Sequence, residues 1–250
     1  MTTTSTTRVQ DIPPLSRAEA MALAATEYDR FLELLRSLRP DEWRRPTECE
    51  AWDVRAMATH LLAEAESHFS LRELVHQLRA YRNAKDGPMI DAMTALQVRD
   101  RADLTPDEIV ARFEDAVPRS VRARRRMPGL VRRMRMKVDP PFEKERWPLS
   151  YLMDVIYTRD TWMHRGDISR AIGREPVLTP EHDGRIVAHM VAEWARRHGQ
   201  PFTLTLTGPA GGHYASGDGG EHIELDAVEF CRIVSGRGQG TGLLATPVPF

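Results

Sequence analysis

Two histidines and one aspartate have the residue types and spacing that suit metal chemistry. Asp160 and His164 lie four positions apart in a segment with helical periodicity, so both side chains project from one helix face. That face is otherwise apolar, and an ionised aspartate buried there is costly unless it is paired or bound to a metal. His60 lies at the edge of an apolar stripe on an earlier segment. If the two segments face each other, the three residues form the two-histidine, one-carboxylate layout typical of catalytic zinc sites.

The same residues allow simpler interpretations. An aspartate and a histidine at this spacing are more often a local hydrogen-bonded pair, and a histidine near an apolar face is more often a core residue. Asp167 could hydrogen-bond a ligand histidine from outside the site, or it could form an ion pair with Arg170. A rival ligand set lies on one helix and comprises His60, Glu64 and His68. Residues on adjacent turns of one helix rarely close a three-ligand site.

Helices must position these residues, and the first 175 residues predict mainly helices. Ser16 to Glu19 is a capping box that starts a helix ending before Pro40. Asp53 is a good N-cap for the helix that carries His60, which we extend to about Tyr81. Pro118 should kink or end a later helix. The remaining expected features are a chain break at Asp86-Gly87-Pro88, helices over 89–101 and from Pro106, an irregular stretch over 127–148, and a strong helix over 150–172 stopped by Gly173.

The pattern changes after residue 175. Phe202–Thr207 alternates apolar and polar residues, which indicates a half-buried strand. Short strands near 213–215 and 222–225 would complete a meander, and Asp226 should cap a helix that reaches Val234. A helix over 180–197 and a last strand at Leu243-Leu244 complete this region. The expected fold class is α+β, with an all-helical domain over residues 1–175 and a small α/β domain over 176–250.

Bulk properties exclude several classes of protein. The chain has 250 residues, a net charge of -1 and 41% hydrophobic residues, which are ordinary values for a globular protein without a strong field toward nucleic acid or membrane. It contains no 18-residue apolar run and no signal-peptide pattern, and its first seven residues suggest a disordered tail. Two distant cysteines, Cys49 and Cys231, are consistent with a reducing cytoplasm. Residues 119–137 carry eight arginines and one lysine without an acid, but they lack the aromatic residues that stack on bases.

Two sequence motifs resemble one known family. The stretch Pro46–Arg55 followed by His60-Leu61 is similar to the signature PT-x-C-x-x-W-x-V-R … HL of the mycothiol-dependent maleylpyruvate isomerase family. The segment Arg159–Ile168 is similar to the family's second signature, which ends in H-x-x-D-I. Gly173-Arg174 and the closing Pro247–Phe250 also match. The resemblance implies an N-terminal DinB-like four-helix bundle followed by a small α/β (SCP2-like) domain.

The resemblance also implies a ligand set and a chemistry. It assigns a divalent metal, expected to be Zn²⁺, to His60, Asp160 and His164. The family commonly has glutamate where this chain has Asp160, which is one methylene shorter. The implied cofactor is a low-molecular-weight thiol such as mycothiol, and the implied partner is a carboxylate or electrophilic substrate. Arg232 and Arg237 are candidates for binding substrate carboxylates, although helix-end arginines are often only solvent-exposed.

Two functions therefore stay open at the sequence level. The first is a thiol-dependent enzyme that isomerises a compound like maleylpyruvate or transfers the thiol sulfur to an electrophile. The second is a non-catalytic metal-binding, small-ligand-binding or interaction module, which the shorter Asp160 would suit. In either case we expect no membrane or nucleic-acid partner, and a monomer or homodimer.

Overall fold

The computed structural model describes residues 5–83 and 88–250 and divides the chain into two compact units. The helical unit is Arg17–Pro176. The small unit is Val177–Phe250 together with the described residues that precede Arg17. The expected disordered tail is therefore wrong where the structure describes it, because Thr7–Arg8 forms strand β1. The α+β class is confirmed.

Four long helices of the helical unit pack together as a bundle, namely α1, α2, α5 and α8. The helices of this unit are α1 (Arg17–Arg36), α2 (Val54–Ser67), α3 (Leu71–Asn83), α4 (Met89–Arg99), α5 (Pro106–Arg126), α6 (Gly129–Arg132), α7 (Leu149–Tyr151) and α8 (Tyr157–Ala171). A two-stranded antiparallel hairpin, β2 (Arg135–Lys137) and β3 (Arg146–Pro148), lies within the stretch expected to be irregular. Within residues 5–83 and 88–250, no helix is both long and apolar enough to cross a membrane.

Helix α2 begins where the sequence predicts and ends earlier. The Asp53 carboxylate accepts a hydrogen bond of 2.8 Å from the backbone N–H of Ala56, which confirms the N-cap. The expected continuation to Tyr81 is wrong, because α2 ends at Ser67 and α3 begins at Leu71. The Ser70 hydroxyl accepts from the backbone N–H of Glu73, so Ser70 starts a new helix instead of extending α2.

Helices α4 and α5 both begin at residues that the sequence marks as helix starts or breaks. Of the expected break at 86–88, Asp86 and Gly87 lie outside the described residues, and Pro88 is the N-cap of α4. Helix α5 starts with a complete capping box at Thr105. It continues past Pro118 to Arg126, so the proline does not end it.

A widened turn comes directly before α8, the helix that carries Asp160 and His164. A π-helical turn over Leu152–Ile156 separates α7 from α8, where the sequence predicts one uninterrupted helix. The backbone carbonyl of Met153 accepts a 2.8 Å hydrogen bond from Nε of the fully buried Arg124. Gly173 has a φ of 70°, which confirms the expected glycine stop after α8.

The small unit is a four-stranded mixed sheet with order β1-β5-β4-β6 and two helices. Its other elements are β4 (Phe202–Thr207), β5 (Gly212–Ser216), β6 (Glu221–Asp226), α9 (Arg185–His198) and α10 (Ala227–Val234). Strand β4 is antiparallel to β5 and parallel to β6, so the expected meander is wrong. The link between β5 and β6 crosses the start of β4, where a side chain at Gly220 would lie 2.0 Å from the carbonyl oxygen of Pro201. Gly220, with a φ of 88°, permits that crossing.

The ends of the small unit's helices also differ partly from expectation. Asp226 caps α10 by accepting from the backbone N–H groups of Val228 and Glu229, as predicted. The helix expected over 180–197 begins with a π-helical turn over Pro180–Gly184 before α9. The last strand expected at Leu243-Leu244 is wrong, because Gly242–Ala245 forms a 3₁₀ turn.

Candidate metal centre

The structure brings together the three residues that the sequence singles out. Asp160 lies between the two histidines, with Oδ2 at 3.2 Å from Nε2 of His60 and Oδ1 at 3.3 Å from Nε2 of His164. One ligand atom from each residue lies within 4.8 Å of the other two. Both imidazoles are buried, and the Asp160 side chain is 14% exposed. Helices α2 and α8 therefore face each other with one carboxylate held between two Nε2 atoms.

The other ring nitrogen of each histidine is held from outside. Nδ1 of His60 lies 2.7 Å from Oε1 of Gln97 on α4. Nδ1 of His164 lies 3.0 Å from Oδ2 of Asp167, one turn further along α8. An amide oxygen and a carboxylate oxygen can only accept, so we assign the Nδ1 proton to both rings from this hydrogen-bond network. Asp167 thus contacts His164, while Arg170 pairs with Glu48 at 3.0 Å.

This assignment decides what can lie between the rings and Asp160. A neutral imidazole that donates through Nδ1 presents a lone pair at Nε2. Two such lone pairs directed at one carboxylate repel it unless a proton or a metal cation lies between them. Ligand histidines in proteins typically show this arrangement, with Nε2 toward the metal and the other N–H held by an oxygen acceptor.

The ionisable groups of the site shift one another's pKa values. Burial alone would raise the pKa of Asp160, but the facing imidazoles of His164 and His60 hold it well below its usual value. Burial alone would lower the pKa of His164, but the carboxylates of Asp160 and Asp167 outweigh burial and raise it to about 9. Burial and the neighbouring Asp160 raise the pKa of Glu64 well above its ordinary value. The pocket therefore favours a positive charge beside Asp160. Without a metal, this charge is a second proton on His164, carried by the Nε2 atom that faces Asp160, and a bound cation would replace that proton.

Two residues of the connector before α2 also reach the site. The half-buried Trp52 ring lies 5.0 Å from the His60 ring and 5.9 Å from the His164 ring, measured between centroids. Cys49 offers a sulfur within 4.8 Å of a nitrogen of His164 and an oxygen of Asp167. We favour the set with His60 because its two Nε2 atoms face one carboxylate, whereas the Asp167 oxygen already accepts from His164.

A model of one protein family matches more than half of the chain. The model of the mycothiol maleylpyruvate isomerase N-terminal domain matches residues 24–169. The chain belongs to the mycothiol-dependent maleylpyruvate isomerase family. The matched range includes all three candidate ligands of the metal centre. No curated protein sequence matches the chain.

Solved structures support the same fold for this family member. The crystal structure of the mycothiol-dependent maleylpyruvate isomerase matches with a TM-score of 0.58 and 18% identity, covering 93% of this chain and 92% of that chain. The crystal structure of a histidine-to-alanine mutant of that isomerase matches with a TM-score of 0.57 at the same identity and coverage. At this identity the likeness shows the shared fold alone.

The rival ligand set on α2 of this family member does not converge. Nδ1 of His68 lies 2.7 Å from the Ser120 hydroxyl, and its ring packs 4.4 Å from the Tyr157 ring. Burial, together with the positive charge of Arg124, lowers the pKa of His68 well below its ordinary value. The structure places His68 in a separate hydrogen bond, and Glu64 beside Asp160.

The arginine candidates of the small unit are not the exposed helix-end residues of the simpler interpretation. Arg232 is buried and pairs with Glu229 at 3.0 Å. Arg237 is half-buried, and its guanidinium lies 4.1 Å from the centroid of the Phe250 ring. Their role toward a substrate stays a prediction.

The basic run over 119–137 is not one continuous exposed patch. Arg124 is fully buried, Arg119 pairs with Asp115 at 2.7 Å, and Arg132 pairs with Asp154. Part of the run thus serves the helical unit's own packing.

Sequence reasoning missed two glutamines that support the site, Gln77 and Gln97. Both are 2% exposed, and they lie on α3 and α4. The only signal for Gln97 is a polar residue beside the buried Leu96, and that signal does not name its partner.

Proposed function

We propose that the chain is a metal- and thiol-dependent enzyme whose His60, Asp160 and His164 hold a divalent metal, with Zn²⁺ the expected ion. The observation that carries this proposal is the meeting of two Nε2 atoms and one carboxylate, with both Nδ1 atoms held by oxygen acceptors. A proton can bridge only one nitrogen–oxygen pair, whereas a metal cation can bind all three ligand residues at once.

The donor set fits zinc in type and in spacing. Zinc binds histidine nitrogen and carboxylate oxygen at about 2.0–2.2 Å, so two ligand atoms of a tetrahedral site lie about 3.3 Å apart. Each Nε2 atom lies at about that spacing from one oxygen of Asp160, at 3.2 Å from Oδ2 for His60 and 3.3 Å from Oδ1 for His164, and one ligand atom from each residue lies within 4.8 Å of the other two. Three protein ligands leave a fourth position open, as in catalytic rather than structural zinc sites.

Each residue has a separate task in this proposal. A bound metal would supply the charge that converts a coordinated thiol to its thiolate at neutral pH. His60 and His164 present fixed lone pairs, and Asp160 supplies the negative charge that balances part of the cation. The Trp52 ring lies beside both imidazoles and covers part of that side of the site.

The replacement of glutamate by Asp160 does not separate the ligands. The shorter carboxylate still lies within 3.3 Å of both Nε2 atoms. The departure from the family's usual acid therefore does not by itself favour a non-catalytic module.

The proposed reactions are those of the family's thiol chemistry, with mycothiol the expected thiol. In one reaction the thiol adds to an activated double bond of a maleylpyruvate-like compound and leaves after rotation, which isomerises the compound. In the other the sulfur stays attached to an electrophile. Arg232 and Arg237 are proposed to bind a substrate carboxylate.

Metal analysis followed by a thiol assay tests the proposal. We expect purified full-length protein to contain about one zinc per chain. It should accelerate conjugation of mycothiol to an electrophilic dye, or isomerisation of maleylpyruvate, and a chelator should remove either activity. Protein without metal that cannot be loaded with zinc would overturn the proposal. Stoichiometric zinc without either activity would favour the non-catalytic module.

A further inference from the structure

A chain of buried amides leads away from His60. Nε2 of Gln97 donates to Oε1 of Gln77 at 2.7 Å, and Nε2 of Gln77 donates to the backbone carbonyl of Ala63 at 2.9 Å. Ala63 lies on the same helix as His60, so the chain runs from α2 through α4 and α3 back to α2. Both glutamines are 2% exposed, so water does not compete for these bonds.

The direction of the chain is fixed at its far end. A carbonyl only accepts, so Gln77 must turn its NH₂ group toward Ala63 and its oxygen toward Gln97. Gln97 then donates to Gln77 and turns its own oxygen toward His60. The imidazole responds by carrying its proton on Nδ1, which leaves Nε2 as the lone pair that faces Asp160.

An ionic cluster anchors the far end. Nε2 of Gln77 also donates to the Glu73 carboxylate at 2.8 Å. Arg101, whose side chain is 5% exposed, pairs with Glu73 at 2.8 Å and with Glu66 of α2 at 2.5 Å. Breaking the orientation of Gln77 would therefore leave buried donors and acceptors unsatisfied, which is unfavourable.

The two histidines are supported by acceptors of different charge. His164 donates to the carboxylate of Asp167, whereas His60 donates to a neutral amide. With Asp160 and Asp167 both ionised, the site carries two negative charges. These charges match a divalent cation, and a third carboxylate in place of Gln97 would exceed it.

We propose that Gln97 and Gln77 are positioning residues that hold His60 in its Nδ1-protonated form without adding charge to the site. This inference rests on the proposed metal function for its purpose. The tautomer of His60 is a property of the chain itself, so it can be tested without metal.

Substitutions of Gln97 separate positioning from simple packing. We expect Gln97→Leu to weaken zinc affinity about 10–100-fold, because outer-shell partners of ligand histidines typically contribute that much. Gln97→Glu restores an acceptor for Nδ1 but adds a negative charge and cannot donate to Gln77, so it should keep the Nδ1-protonated ring and recover only part of the affinity that the leucine variant loses. Gln77→Leu should weaken affinity in the same direction by a smaller factor. Gln200→Leu, at an exposed glutamine, is the matched control.

The readouts are zinc affinity from chelator competition, the absorption spectrum of the cobalt-substituted protein, and the ¹⁵N shifts of His60 in metal-free protein. Wild type should show the Nδ1-protonated ring, and Gln97→Leu should show a mixture of tautomers and an altered cobalt spectrum. Folded Gln97→Leu with wild-type affinity and tautomer would overturn the inference, as would equal loss in the leucine and glutamate variants. If wild type binds no zinc but the tautomer still depends on Gln97, the metal function fails and the positioning role stands.

Discussion

The two units differ in the side chains that they bury around their central residues. Around the candidate metal centre the helical unit buries ionisable side chains, including His60, Glu64 and Asp167. The small unit also buries ionisable side chains, such as Asp183 and Arg232, but its core contains an aromatic cluster. In that cluster Trp194 lies edge-on to Phe202 and Phe230, with ring centroids 4.8 and 5.4 Å away.

The difference indicates that the buried polar groups of the helical unit serve ligand binding, whereas the aromatic cluster of the small unit serves stability. A buried charged or polar group costs free energy unless it is paired, whereas a buried aromatic ring stabilises through its buried area and through favourable packing against other rings. The indole N–H of Trp194 donates to the Leu243 carbonyl at 3.0 Å, so even its polar atom is satisfied. We therefore expect substitutions near the metal centre to alter ligand binding, and substitutions at Trp194 to alter stability.

The largest expected effect is the loss of metal from His164→Ala. Removing one of three protein ligands, together with the Asp167 contact behind it, should reduce zinc from about one ion per chain to below about one in ten. Elemental analysis after gel filtration measures this, with circular dichroism to verify the fold. His76→Ala is the control, because His76 is a half-exposed histidine paired with Asp100. Unchanged metal content in the His164 variant would refute the ligand set.

Trp194→Ala should produce the next largest effect, on stability. Truncating a fully buried tryptophan typically costs about 3–5 kcal/mol, and here it also leaves the Leu243 carbonyl without its donor. Urea unfolding followed by circular dichroism measures the loss, and Trp194→Phe should cost less because it keeps a ring against Phe202. If zinc content per folded chain fell as steeply as in the His164 variant, the contrast between the two interiors would be wrong.

Asp53→Ala should have the smallest effect and should sharpen the contrast within the helical unit. Loss of the cap of α2 should lower the free energy of unfolding by about 1 kcal/mol. Zinc stoichiometry should stay unchanged, because His60 lies two turns away from the cap. Asp29→Ala, at an exposed position inside α1, should have little effect on thermal unfolding. An equal loss in both variants would indicate that the cap contributes nothing specific.

Local patterns predicted much of the fold because their causes are local. The caps at Asp53 and Asp226 and the strand Phe202–Thr207 each follow from residues within one element. The end of α2 depends on the Ser70 hydroxyl competing for a backbone N–H, which a continuous apolar stripe conceals. The order of the sheet depends on strand pairing across β4, which no single segment encodes.

The residues of the candidate metal centre also divide into those that the sequence predicts and those that it does not. The spacing of Asp160 and His164 placed two candidate ligands on one face. The apolar stripe of the earlier helix singled out His60 as the third, and the family motifs pointed to the same three residues. Gln77 and Gln97 could not be found from spacing, because each acts on a residue of a different helix. Their roles exist only once α3 and α4 pack beside α2.

The π-helical turn over Leu152–Ile156 affects the direction in which the side chains of α8 point around its axis. Each residue advances an α-helix by about 100°, so one residue more or fewer ahead of Asp160 would rotate the face that carries Asp160 and His164 away from α2. A widened turn takes up a surplus residue locally. The direction in which Asp160 and His164 project therefore does not depend on the exact number of residues that precede α8.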